Sequence, residues 1–274
     1  MSVPIYAVQH IRRMRGGSQA HLLRASDGAY YVTKFQNNPQ STKVLANEMF
    51  ATQMGLWLGL PMPRVEAVEV SDWLIENTPE LRIQLGTTEV PCSSGLQLGS
   101  RYPCDPAYEP LEIFDYLPES FMERMKRPLD FARILVLDKW LANADGRQAI
   151  FTRKRKERRF QAIFIDQGYC FNAGEWTFPD TALRGVYARN CVYKGVTGWD
   201  SFEPALTKAE EADIIDIWRC AERIPPEWYE YDREGLERIV ETVYHRRGNI
   251  RSLIDAFRSS SRDPFPNWKN DQKS

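Results

Sequence analysis

Between Leu129 and Gly168 the chain runs from an apolar helix into an acidic loop, then through two short strands to a second acid. The stretch "LDFARILVLDKWLANA" spaces Phe131, Ile134, Leu135, Leu137, Trp140 and Leu141 as one buried helical face. "AIFTRKRKERRFQAIFIDQG" then reads as two strands about a charged turn. This order leaves Asp145 at the mouth of a packed element and Asp166 at the end of a buried strand. A carboxylate in a loop can orient, or deprotonate, an attacking hydroxyl. In "ADG" it can equally satisfy local turn amides. An acid closing a buried strand is poorly explained by packing and well explained by magnesium, which favours carboxylate oxygen.

The first hundred residues predict strands around one helix. "YAVQHIRR" and "AHLLRA" flank the turn "MRGGSQ", and "AYYVTKF" follows the turn signal "SDG". Ser41 or Thr42 can cap a helix through "KVLANEMFATQMGLWLGL", whose apolar face carries Val44, Leu45, Met49, Phe50, Met54, Leu56 and Leu58. "VEAVEV" returns as a strand. "DWLIE" fits helix or strand, and the Gly-, Ser- and Pro-rich "CSSGLQLGSRYPCDP" predicts a connector. After the hairpin the chain is mainly helical. "TKAEEADIIDIWRCAERI" opens with a capping box, Thr207 with Glu210, and Asn249 can cap "IRSLIDAF". The expected architecture is α+β and two-lobed: a β-rich N-lobe with one helix over 1–100, a helical C-lobe with the hairpin over 101–258, and a flexible tail over 259–274.

Three further positions stand out in the β-rich part. Gly16, Gly17 and Ser18 form a turn whose free N–H groups can hold phosphate, or a plain hairpin turn. Lys34 ends a strand of apolar neighbours and can reach phosphates, or water at a strand edge. Glu48 lies among core residues, where a carboxylate is costly unless paired. Lys34 is an economical partner, and a strand lysine followed by a helix glutamate is the order of the kinase ion pair.

In "YYVTKF", "KVLANEMFATQMGLWLGLPMP", "SSGLQLGSRY", "LDKWLANADGRQAIF" and "FIDQGYCF" the chain resembles the HipA-like kinases, a branch of the protein-kinase-like folds. The resemblance spans most of Gly16 to Phe171. It implies an ATP site between lobes, with Lys34 on phosphate, Asp145 as the base and Asp166 on magnesium. It also implies γ-phosphoryl transfer to a hydroxyl, usually of a protein Ser or Thr. One departure stands out: "DGRQAI" sets Arg147 where the pattern has His and Ile150 where it has a metal-binding Asn. Isoleucine cannot ligate a metal. Gln148 and Asn143 offer amide oxygens nearby, and Gln148 is the expected replacement. The alternative to a kinase is a nucleotide-binding regulatory module without chemistry.

Charge and composition narrow the partners. The formal net charge of -1 gives no global pull toward nucleic acid or membrane. The basic run Arg153 to Arg159 lacks interleaved aromatics and reads as a solvated turn. No apolar run approaches the roughly 18 residues that span a bilayer. The opening residues lack the apolar core of a signal peptide. Five scattered cysteines and three histidines predict reduced thiols, no zinc site and a cytoplasmic setting.

Overall fold

The computed structural model describes residues 4–106 and 111–269. Strands β1 (Ile5–Arg13), β2 (His21–Ala25) and β3 (Tyr30–Lys34) form an antiparallel run. Helix α1 (Lys43–Trp57) follows, then β4 (Val65–Val70) and the short α2 (Asp72–Glu76), capped by Ser71. β5 (Arg82–Leu85) and β6 (Thr88–Pro91) make a separate hairpin. β7 (Gly95–Arg101) then enters between β3 and β4 and closes a barrel in the order β1-β2-β3-β7-β4.

Two expectations change here. "GLQLGSR" is no connector but the central barrel strand; its residues 97–99 are buried on both faces, which overrides their weak strand propensity. "DWLIE" is a helix, so the β-rich part carries a second, short helix beside α1. Residues 107–110, just past the expected connector, lie outside the described residues.

α1 is buried along most of its length, because it lies between the barrel and the helices that follow. A helix covered all round offers a charged side chain no route to water. That is why Glu48 needs a partner.

Beyond the barrel, β8 (Leu111–Phe114) precedes a 3-10 turn (Glu119–Arg124) and α3 (Asp130–Trp140). β9 (Gln148–Lys154) and β10 (Gln161–Ile165) form the expected hairpin, which β8 extends to a three-stranded sheet. The register sets Gln148 opposite Ile165 and Ile150 opposite Ile163. Helices α4 (Ala205–Glu210), α5 (Ile214–Ala221), α6 (Arg233–Arg246) and α7 (Ile250–Arg258) complete the structure. The single helix expected from Thr207 to Ile224 breaks into α4 and α5. Asp213 caps the second piece by accepting from the Ile215 N–H at 2.6 Å, in place of the expected Thr207–Glu210 box. Asn249 starts α7 without a side-chain cap.

The flexible tail is also corrected. Phe265 is 3% exposed in the main core, and Trp268 stacks on it at 5.7 Å and meets Trp199 edge-on at 5.2 Å. The Lys269 N–H donates to Thr197 O at 3.0 Å. Aromatic burial outweighs the Ser- and Pro-rich composition that suggested looseness. Residues 270–274 lie outside the described residues. Phe265→Ala is expected to cost about 3–5 kcal/mol, read by denaturant unfolding; a cost under about 1 kcal/mol would show that the segment adds nothing to the core.

Candidate functional site

Lys34 ends β3, and its ammonium sits between two acids from distant elements. Lys34 Nζ donates to Glu48 Oε2 on α1 and, at 2.9 Å, to Asp166 Oδ1 just after β10. Lys34 is 7% exposed and Glu48 4%. Burial works against the ammonium, but Glu48 and Asp166 hold the Lys34 pKa above its ordinary value. Burial would likewise raise Asp166; the Lys34 ammonium, with Arg147 and the Gln148 amide behind it, holds it low instead.

Asp166 takes a left-handed backbone (φ 62°), which turns the chain off the sheet and aims the carboxylate into the cleft. Gly168 then passes close to α1: a Cβ there would lie 2.3 Å from Val44 Cγ1. Asn47, beside Glu48, donates to the carbonyls of Gly168, Cys170 and Ala173 and fixes the segment that follows. Asn47 escaped the sequence reading; its signal was an amide on the buried face of an apolar helix.

Gln148 is the bridge to the Asp145 loop. Its Nε2 lies 3.2 Å from Asp166 Oδ2 and 3.4 Å from Asp145 Oδ2. Asp145 Oδ1 accepts from the Gly146 N–H at 2.7 Å, so the local-turn reading holds for one oxygen. The other faces Gln148. Asn143, the second amide considered, is turned inward, donating to Asp138 Oδ1 at 2.8 Å and accepting from the Asp145 N–H at 3.1 Å. It shapes the loop and does not face the acids.

Arg147 occupies the position expected for His and points into the core. It donates from Nε to Asp138 Oδ2 at 2.9 Å and from Nη2 to Asp138 Oδ1. Nη1 reaches Ile165 O at 2.9 Å and Gln167 Oε1 at 2.5 Å. The guanidinium thus ties α3 to the Ile165 carbonyl and the Gln167 side chain, the residues on either side of Asp166. Burial opposes its charge, and Asp138 restores it. Asp138 was also missed, although an acid inside "ILVLDKW" requires a buried partner.

Ile150 shares a strand face with Gln148, one pleat further from the acids. It lines the cleft with Val32, Leu98, Ile113 and Ile163 as an apolar wall. Gln148, rather than position 150, is the side chain next to Asp145 and Asp166. Gly16, Gly17 and Ser18 border the same cleft, of about 1210 Å³, as Lys34, Glu48, Asp145, Gln148 and Asp166. Of the residues singled out in the sequence for this chemistry, all but Asn143 therefore line one cavity.

Because Asp166 is held low by its neighbours, it stabilises the fold above the ordinary carboxylate pKa, about 4. That contribution is lost as pH falls through its folded value. The stability gap between the native chain and Asp166→Asn is expected to shrink steadily in unfolding measurements carried down from pH 6 to 2; a constant gap would contradict this.

A barrel strand with a lysine, a buried helix glutamate and an acidic loop and hairpin facing them define a kinase-like fold of mixed α and β content. Solved structures agree. The Golgi casein kinase superposes with a TM-score of 0.54 at 13% identity, covering 100% of this chain and 78% of that one. Its structure with Mn/ADP bound gives 0.50 at 12% identity, covering 98% and 77%. The Helicobacter pylori proinflammatory kinase CtkA gives 0.50 at 13% identity, covering 88% and 94%. At such identities the likeness is one of fold. No match is found among curated proteins. The family match spans residues 7–252, and the chain belongs to the HipA-like kinases. Among the described residues, no helix is long and apolar enough to cross a membrane.

Proposed function

We propose that this kinase transfers the γ-phosphoryl group of ATP to a hydroxyl acceptor, with magnesium. The observation that carries the reading is the single polar chain Glu48–Lys34–Asp166–Gln148–Asp145 along one cleft wall. Lys34 holds the phosphates as a point charge and Glu48 keeps it in place. Asp145 Oδ2 orients the acceptor hydroxyl and takes its proton. Amides of Gly16, Gly17 and Ser18 cover the phosphates. The adenine ring lies against the apolar wall of Val32, Leu98, Ile113, Ile150 and Ile163.

The donor set fits a hard cation. Asp166 offers a carboxylate, and rotating the Gln148 carboxamide presents Oε1 in place of Nε2. These two residues would hold magnesium, which would supply charge neutralisation on the transferring phosphoryl oxygens. Gln148→Ala is expected to raise the magnesium concentration for half-maximal activity by at least about tenfold; an unchanged requirement removes Gln148 from the site. The acceptor is a protein Ser or Thr, as in the family resemblance, or a small-molecule hydroxyl. The basic run Arg153 to Arg159 has no interleaved aromatics, which speaks against nucleic acid, and the setting fits a cytoplasmic protein.

The test is radiolabelled ATP with the purified chain and its Asp145→Asn variant, read for self-labelling and for transfer into a lysate. Transfer undiminished in the variant overturns the assignment of the base. Nucleotide binding without transfer is the second reading. It is favoured by Lys34, which engages one oxygen of the metal-binding acid, Asp166. Tight ATP binding with no labelling under any divalent cation would support it.

A further inference from the structure

We infer that Gln19 is a positioning residue for the phosphate chain, tying the Gly16–Ser18 turn to the β5–β6 hairpin. This rests on the reading of that turn as the phosphate cover. The turn has little else to fix it. Gly16 adopts φ 129°, a conformation that strains any residue with a side chain. The turn is closed by the Gln19 N–H to Gly16 O at 3.2 Å and the Met14 N–H to Ala20 O at 2.8 Å. An exposed turn held only by its own backbone moves freely.

Gln19 supplies the outside anchor. Its Nε2 donates to Gln84 O at 2.7 Å, and its Oε1 accepts from the Gln84 N–H at 2.7 Å. Arg13 donates to the same Oε1. One carboxamide thus satisfies both backbone groups of a β5 residue, as a neighbouring strand would. Gln19 itself has φ 50°, a left-handed conformation that a residue other than glycine keeps only where its surroundings impose it. The paired side chain is that constraint.

The hairpin it grips is itself rigid. Ile83 and Leu81 are buried in the second core cluster, inside the barrel end. His21 Nε2, on β2, lies 3.2 Å from Arg82 O. Barrel closure does not use Gln19, since β1 and β2 pair through Arg13 and His21 without it. What the clamp sets is the position of Gly16–Ser18 across the cleft from Lys34 and Asp166.

The experiment measures binding of ATP, ADP and adenosine to the full chain by calorimetry. The variants are Gln19→Leu, which keeps the side-chain volume, and Gln84→Pro. Gln84 turns its N–H away from β6, so proline deletes the donor and spares the hairpin ladder. Both variants are expected to weaken ATP and ADP about tenfold, the loss of one or two hydrogen bonds that anchor the turn, and to leave adenosine within about twofold. Unchanged ATP and ADP affinities overturn the inference. So does an equal loss for adenosine, which marks a general structural role. If the unaltered chain binds none of the three, the proposed function itself falls.

Discussion

Asp145→Asn is expected to lower phosphoryl transfer by about 10²–10⁴-fold while nucleotide affinity stays within about twofold. The substitution keeps the shape of the side chain. Its Oδ1 position still accepts from the Gly146 N–H, so the loop is retained. What is lost is the basic oxygen facing Gln148 and the cleft. A loss confined to turnover therefore separates a proton-accepting role from a loop-shaping one. If transfer and nucleotide affinity fall together, Asp145 is holding the loop or the metal rather than the proton. If neither falls, the acceptor hydroxyl is activated elsewhere. Single-turnover labelling with stoichiometric ATP gives the cleanest reading, because product release then drops out.

Arg147→Met is expected to destabilise the fold by about 3–5 kcal/mol, because it strands the fully buried Asp138 carboxylate. For a chain of this size that corresponds to a melting temperature lower by roughly 6–20 °C. Arg147→Lys should recover little, since an ammonium cannot reproduce the fork to Asp138 together with the contacts to Ile165 O and Gln167. The double variant Asp138→Leu with Arg147→Met is expected to recover most of the stability, because no lone charge is left inside. Its phosphotransfer is expected to be impaired, since the Arg147 contacts to Ile165 O and Gln167 Oε1 that flank Asp166 would be lost. Full activity in the double variant would reduce Arg147 to a packing residue. A single-variant cost below about 1 kcal/mol would mean that water reaches Asp138.

These two positions show what kind of information each level carried. Asp145 was legible because its signal is local: an acid in a loop between an apolar helix and an apolar strand. In the sequence Arg147 is only a departure from a pattern that has histidine there, with no role of its own. Its guanidinium is taken up by Asp138, Ile165 O and Gln167, an arrangement set by the turn into β9 and by a partner nine residues back on α3. Ile150 and Gln148 teach the same lesson. A strand's face is decided by register, and shifting by two residues keeps the face but moves the side chain one pleat along the cleft. The sequence offered Gln148 as a candidate; the register with Ile165 is what brought it between the two acids.

The β7 strand and the C-terminal segment were hidden for a different reason. Their composition is that of loops, and local propensity pointed to loops. β7 is a strand because β3 and β4, far away in the chain, both offer it hydrogen-bonding edges. Phe265 and Trp268 are ordered because Tyr193, Phe202 and Phe257 leave an aromatic socket for them. Neither partner surface exists until the rest of the chain has folded.

The amino-acid order by itself determined the strand–helix alternation, the apolar helix before Asp145, the hairpin up to Asp166 and the cost of leaving Glu48 unpaired. These follow from periodicity and from the penalty on a buried charge, both properties of short windows. Only the tertiary structure decided that Lys34 would sit between Glu48 and Asp166, that Gln148 would span the two acids, and that Asp138 would claim Arg147. Each of those is a contact between elements distant in sequence, fixed by barrel closure, strand register and the need to pair every charge taken out of water.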